Sequence, residues 1–367
     1  MDSPKQKRRG NILLLIASLA LSAILAELSS RMLGPVDYRR PLPRMLGDVW
    51  RELLHRPSDV PGLAYELAPN MRKRARNTLI KTNSAGMRDR ELPIEKGDST
   101  VRIAAIGDSV TFGFGLLSEY TYPKALERLL NGQDEGFGLR FEVLNFGVGG
   151  YSTRDEALVL RHKVGKWRPD VVIVGYVLND PEFEPAQPLQ EYFNRPSWWQ
   201  YSDVLRRIAK AKRDWDVRRL GDGDYFLYLH AHPQKWRSVV DAFRDIVGFA
   251  ESEGINTFLV IFPRIPTGEW SGYPYGEVHH KVALAARREG LFVIDLLETY
   301  THFDPHRLRL SDVDPHPSRF GQALAAEAIG KRLRAQLPAL FNGSRSVRPS
   351  HRPRDGPPGD AATTSPR

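Results

Sequence analysis

From Val101 onward, short apolar runs alternate with amphipathic segments, and that alternation admits few folds. "VRIAAIG" (101–107), "FEVLNFG" (141–147), "DVVIVGYV" (170–177), "NTFLVIF" (256–262) and "LFVID" (291–295) each have the length of a buried strand. The segments between them read as helices. "PKALERLL" places Pro123 in a first turn and is closed by Asn131-Gly132. "STRDEALVLRHKV" opens with a Ser152/Asp155 capping-box pattern. Over 236–253, Trp236, Val239, Val240, Phe243, Ile246, Val247 and Ala250 fall on one face before Gly254 ends the helix. Further helices are expected over 276–289 and 319–337. Buried strands in alternation with helices argue an α/β protein: a parallel sheet covered on both faces.

Charge and composition narrow the function. At 367 residues and 41% hydrophobic content the chain can bury a real core as one large domain or two small ones. The formal charge of +9 is concentrated at the ends: residues 1–9 carry a net +3, and the tail from Gly343, with five Arg against two Asp, another +3. No basic, aromatic-interleaved face remains to track phosphates, so no nucleic-acid partner is expected. The absence of cysteine excludes disulfides and thiolate metal sites. The pairs His230/His232, His279/His280 and His302/His306 lack a recurrent carboxylate spacing, so no metal is expected.

The amino terminus speaks of location. After "KQKRR", Ile12 to Ala26 is uncharged; that run makes roughly 22 Å of helix, and its extension to Leu33 across Glu27 and Arg31 makes roughly 33 Å. Residues 1–10 read as a cytoplasmic basic segment and 11–33 as a transmembrane signal anchor. The protein is then expected to be single-pass in the cell inner membrane, with its bulk periplasmic or extracellular. A cleaved signal peptide, cut near Ala20-Leu21-Ser22, is the alternative. Residues 34–100, rich in Pro and Arg, read as a juxtamembrane linker and a strand-rich collar. Residues 101–340 read as the main domain and 341–367 as a disordered tail. Between 181 and 235 the alternation stops. This insertion holds ten aromatics where the chain's 10% average gives five or six, which suits a lid, a sugar-stacking surface or a small core of its own.

Strand ends of such a sheet are where sites are built. "AAIGDSVTFGFG" (104–115) brings Ser109 to the end of the first strand as a candidate nucleophile. "NFGVGG" places Gly149 and Gly150 after the second, and "GYVLND" places Asn179 after the third, as candidate donors to an oxyanion. His316 in "LSDVDPHPSRFG", a loop before the last helix, is the candidate base, with Asp314 and Asp312 in reach of its second ring nitrogen. Asp108 is expected to hold the turn through side-chain to backbone bonds.

These four ordered blocks, from about Val101 to Leu337, resemble the GDSL-type SGNH hydrolase superfamily of esterases and lipases, membrane-anchored bacterial type. The resemblance implies a flavodoxin-like three-layer α/β/α sandwich with a central parallel sheet. It also implies Ser109 as nucleophile, His316 as base, and an oxyanion hole of the Ser109 amide, the Gly150 amide and the Asn179 side chain. The family's acid lies three residues before the histidine, where this chain has Val313; Asp314 is taken as the acid, with Asp312 as the alternative. The upstream "KTNSAGMRDREL" is similar to a segment preceding the catalytic domain in membrane-anchored members, and no catalytic role is attached to it. A serine esterase acting on carboxylic esters, O-acetyl carbohydrate included, is expected, with no cofactor. The alternatives are an O-acyltransferase acting on a polysaccharide with the same residues, and a non-catalytic membrane-tethered carbohydrate-binding or assembly protein.

Overall fold

The five apolar runs form one parallel sheet. A computed structural model describes residues 4–34, 54–75, 78–132, 138–183 and 197–338, together with positions 36, 189, 193 and 194. Its strands are, in chain order, β1 (His55–Pro57), β2 (Tyr65–Leu67), β3 (Arg72–Ala75), β4 (Thr78–Lys81), β5 (Thr100–Gly107), β6 (Arg140–Gly147), β7 (Val171–Tyr176), β8 (Asn256–Ile261), β9 (Phe292–Asp295), β10 (Arg309–Ser311) and β11 (Asp314–Pro317). The central sheet runs β6-β5-β7-β8-β9, with every neighbour parallel. This is the flavodoxin-like strand order, in which the connections diverge at the first strand and leave a crevice beyond its carboxyl end.

Alternate residues of each strand feed two cores, because side chains on a strand point to opposite faces. Ala104, Ile106, Leu144, Val172, Val174, Leu259 and Ile261 face one way. They meet helices α4 (Thr153–Val159), α7 (Pro233–Glu253) and α8 (Gly276–Glu289). Ile103, Ala105, Val143, Ile173, Phe258 and Val260 face the other way, against α3 (Tyr122–Gly132) and α11 (Arg319–Gln336), which the short helices α9 (Leu297–Thr301) and α10 (Pro305–Leu308) precede. Ser152 caps α4 in the reciprocal arrangement with Asp155 that its sequence suggests. Helix α7 begins three residues earlier than its apolar stripe, because Pro233 supplies a pre-set first turn. Helix α3 runs through Gly132 instead of stopping before it.

At the amino end of the sheet, Arg102 is fully buried and satisfied by Glu142 at 2.8 Å and by the carbonyls of Pro93, Ile94 and Trp167. Lys96 reaches Asp170 at 2.8 Å, and Asp170 also accepts the Arg102 amide. These bonds fasten the end of the upstream segment to the sheet. The segment contributes two antiparallel hairpins, β1-β2 and β3-β4.

The insertion is more ordered than the lost alternation suggests. It holds α5 (Asp203–Gly221), capped by Ser202, and α6 (Tyr225–Ala231), capped by Asp224. Phe226 and Tyr228 enter the main core, whereas Trp198, Tyr201 and Trp215 are exposed. Tyr192, residues 184–188 and the tail from 341 lie outside the described residues. An unbroken helix α1 (Pro4–Met32) precedes the collar, and its last turns meet the amino end of α5.

Candidate active site

Three glycines make the floor. Gly107 pairs in register with Gly147 on one side and Gly175 on the other, at the carboxyl ends of β5, β6 and β7. The short helix α2 (Ser109–Phe112) lies directly on them. A Cβ on Gly147 would collide with the Phe112 amide, and one on Gly107 or Gly175 with the Thr111 hydroxyl. Only a bare backbone lets α2 approach this closely. Asp108 caps α2 by accepting from the Val110 amide at 2.8 Å, as its turn-holding role requires. Ser109, the first residue of the helix, is half-buried.

His316 arrives on a strand, not on the loop expected from sequence. β10 and β11 form a hairpin whose tip holds Asp312 and Val313, with Val313 86% exposed. Residues two apart on an extended strand share a face, so Asp314 and His316 project together. Pro315 favours that extension at Asp314. Asp314 Oδ1 accepts from His316 Nδ1 at 2.6 Å and from the His316 amide at 3.1 Å. His316 Nε2 lies 2.8 Å from Ser109 Oγ. The ring stacks on Phe114, with centroids 4.7 Å apart. Asp312, the alternative acid, points elsewhere: its carboxylate lies 3.1 Å from Nδ1 of His306, on the exposed side of the hairpin.

Gly150, at φ +82°, turns the chain after β6, and a side chain there would meet the Tyr65 hydroxyl at 2.7 Å and Leu189 of the insertion at 3.6 Å. Tyr65 donates to the neighbouring Gly149 carbonyl at 3.0 Å and accepts through its own carbonyl from Tyr151 at 2.7 Å, so the collar sets the position of this turn. Asn179, beyond β7, is 3.5 Å from Asp108 Oδ2 through Nδ2, which leaves a second N–H on that nitrogen. Among the described residues neither the Ser109 amide nor the Gly150 amide donates to a protein acceptor. Ser109, Gly150 and Asn179 are each half-buried, and each follows the carboxyl end of one of the neighbouring strands β5, β6 and β7.

The electrostatics beneath are unusual. Asp108 is fully buried, and burial pushes its carboxyl up despite the Val110 amide. Burial also raises Glu156 and Asp180 well above the ordinary carboxylate range, each reinforced by the other acids nearby. Among the described residues, both Glu156 oxygens and one Asp180 oxygen have no hydrogen-bond partner. The Ser109 hydroxyl has two acceptors in reach, His316 Nε2 at 2.8 Å and Asp108 Oδ2 at 3.1 Å, and the imidazole is the nearer.

Sequence reasoning passed over Arg88, in "KTNSAGMRDREL". It is 1% exposed and donates to the carbonyls of Phe112 at 2.6 Å, Gly113 at 2.7 Å and Leu116. These carbonyls lie at the end of α2 and in the loop that follows it, where intrahelical donors run out; Gly113 accepts from the Leu116 amide as well. Burial lowers its guanidinium to about 10, still fully charged at neutral pH. Asp89 next to it joins Lys124 of α3 at 2.7 Å and accepts the Asn145 amide. A charged pair in a linker-like segment was the available signal.

Residues 105–324 match the GDSL-like lipase/acylhydrolase family. An acetylxylan esterase from Xylanibacter ruminicola is 25% identical over 263 residues, covering 67% of this chain and 45% of that protein. The chain therefore spans less than half the length of that curated relative. Among solved structures, a lipase/acylhydrolase from Enterococcus faecalis is 18% identical at TM-score 0.40, over 64% of this chain and 96% of that one. An acetylxylan esterase from Geobacillus stearothermophilus is 19% identical at TM-score 0.41, over 64% and 93%. The family match takes in more than half of the chain, and Ser109, Gly150, Asn179, Asp314 and His316 with it: the chain belongs to the GDSL-like lipase/acylhydrolase family.

Proposed function

We propose that the protein is a serine esterase that removes acyl groups, O-acetyl groups of carbohydrate foremost, from outside the cytoplasmic membrane. The observation that carries this reading is the unbroken relay from Asp314 through both ring nitrogens of His316 to Ser109, at 2.6 and 2.8 Å. Asp314 holds the proton on Nδ1, which leaves Nε2 as the acceptor facing the hydroxyl. Ser109 Oγ attacks the ester carbonyl as its proton passes to Nε2. The tetrahedral oxyanion is met by the amides of Ser109 and Gly150 and by the Asn179 amide group. The imidazolium then returns the proton to the departing alcohol, and water, activated by the same nitrogen, releases the acid. No step calls on a further group.

The acyl class is supported by the acetylxylan esterase relative. The location is supported by α1, whose stretch Arg8–Met32 is long and apolar enough to cross a bilayer and whose large apolar side chains, Ile12 to Leu28, are exposed. The test uses detergent-purified full-length protein. A fluorophosphonate probe should label wild type and not Ser109→Ala, and free acetate should appear from acetylated xylan. Acetate recovered on an added glycan instead of in solution would make the protein a transferase. Absence of both labelling and turnover would leave a non-catalytic binding protein.

A further inference from the structure

Helix α5 carries an apolar stripe that none of the described residues covers. Val217 and Leu220 on one side pack against the core. On the other side Ile208 and Trp215, seven residues apart, are 58% and 65% exposed, and Tyr201, in the turn just before the helix, is 66% exposed. Seven residues are close to two helical turns, so Ile208 and Trp215 stand on one face. Lys212, Arg218 and Arg219 fall on the same face and are exposed. Over Asp203–Gly221 the helix has seven Lys or Arg against three Asp. Asp216 is largely covered and held by Lys212 at 2.8 Å. Trp198, just before the helix, is the most exposed aromatic of the group.

This helix starts where α1 ends. Glu27 accepts from the Ser202 hydroxyl at 2.8 Å and from the amides of Asp203 at 2.9 Å and Val204 at 3.3 Å, so a carboxylate of α1 caps α5. Arg207 reaches back to the Ser30 hydroxyl at 2.8 Å and the Gly34 carbonyl at 2.6 Å, and Arg31 to the Tyr201 carbonyl. Ile12, Leu15, Leu19 and Ile24 of α1 remain exposed, so α5 departs from the end of α1 and does not run beside its apolar length.

We propose that α5 lies on the outer surface of the bilayer that α1 crosses, with Trp198, Tyr201, Ile208 and Trp215 in the acyl boundary and Lys212, Arg218 and Arg219 on anionic phospholipid headgroups. The inference rests on the reading of α1 as a membrane span. Aromatic rings with one polar edge and long cationic side chains are the groups that settle at that depth. From Tyr201 to Trp215 the contact extends about 20 Å from the anchor. It fixes the orientation of the catalytic domain, which a single tethering helix would leave free to swivel.

The chain has no cysteine, so single Cys variants of the full-length protein can each carry one spin label. Leu19→Cys, Ile208→Cys and Trp215→Cys are reconstituted in vesicles of phosphatidylethanolamine and phosphatidylglycerol, and accessibility to oxygen is compared with accessibility to a water-soluble nickel complex. Labels at 208 and 215 should favour oxygen several-fold, at a shallower depth than the label at 19. The preference should shrink when phosphatidylglycerol is replaced by phosphatidylcholine. A lipid signal at 19 with a water signal at 208 and 215 overturns the proposal and leaves the anchor intact. A water signal at all three overturns both. Spin–spin broadening between labels at 208 shows a second copy on the stripe and also overturns it.

Discussion

Two aspartates within five residues of His316 look alike in sequence, and backbone geometry separates them. Asp314 shares the strand face of the imidazole and accepts from both its ring and its amide, whereas Asp312 sits at the hairpin tip beside His306. Asp314→Asn should therefore lower kcat by about 10²-fold or more with KM little changed, while Asp312→Asn should stay within about threefold. Steady-state kinetics on an acetyl ester decides it, and equal effects would mean that a backbone group orients the ring. Asn179→Ala should slow turnover by on the order of 10²-fold without preventing probe labelling, if its amide meets the oxyanion. Arg88 acts at one remove. Arg88→Met keeps the volume but removes three charge-assisted bonds to carbonyls at the end of α2 and in the loop after it, at about 1.5–3 kcal/mol for each bond to a charged group. Thermal unfolding should show a large loss, and kcat should fall as the Ser109 helix loosens. Ser109, His316 and Asp314 were all visible in the sequence because such groups are short motifs at strand ends. Arg88 was not, since a buried cation that bonds only to main chain leaves no pattern in spacing.

At the scale of elements, what could be read depended on how much of each element the core dictates. The five strands and helices α3, α4, α7, α8 and α11 face one another across the sheet, so their periodicity was written in apolar residues. Helix α5 gave no such signal, because only Val217 and Leu220 of its apolar residues meet the core while Ile208 and Trp215 stay exposed, so no continuous buried stripe is written along it. The β10-β11 hairpin was likewise missed, since Asp-Pro-His-Pro reads as a loop and is a strand only through pairing with Arg309 and Ser311. The glycine floor was not singled out, since Gly107, Gly147 and Gly175 fall inside the apolar runs read as strands, and their use is close approach. Gly147→Ala tests this directly. The added methyl would strike the Phe112 amide, and α2 would have to lift off β6. A loss of about 1–3 kcal/mol in stability is expected, with kcat reduced at least tenfold because Ser109 leaves the reach of His316. Undiminished turnover would mean that α2 can slide without cost to the relay.

For the molecule as a whole, buried titrating groups make stability depend on pH from two sides. His230 bonds Tyr176 and the Phe226 carbonyl at 2.8 Å each, and burial pushes its pKa down from 6.5 to about 4. Between those values the unfolded chain binds a proton that the folded one refuses, so stability falls as pH drops through the window, by about 3 kcal/mol in all. Glu156 and Asp180 act in the opposite direction. Their carboxyls are raised by burial, so above the ordinary carboxylate range the folded protein keeps protons that the unfolded chain has released. More protons on the folded state means that stability declines as pH rises, until those groups ionise in place. Between about pH 4 and 6.5 the two effects oppose each other, and above that window only the decline caused by the acids remains, so melting temperature should fall toward the alkaline side and more steeply beyond the histidine window. The two contributions are separable by mutation. His230→Asn should steepen the decline inside the window, and Glu156→Gln, which keeps the shape and cannot ionise, should flatten it throughout. Among the described residues Glu156 has no hydrogen-bond partner for either oxygen, so the glutamine loses no bond there, and its melting temperature should exceed that of wild type at the alkaline end. A wild-type alkaline slope that survives Glu156→Gln and Asp180→Asn alike would mean that the buried acids are already ionised in the folded protein.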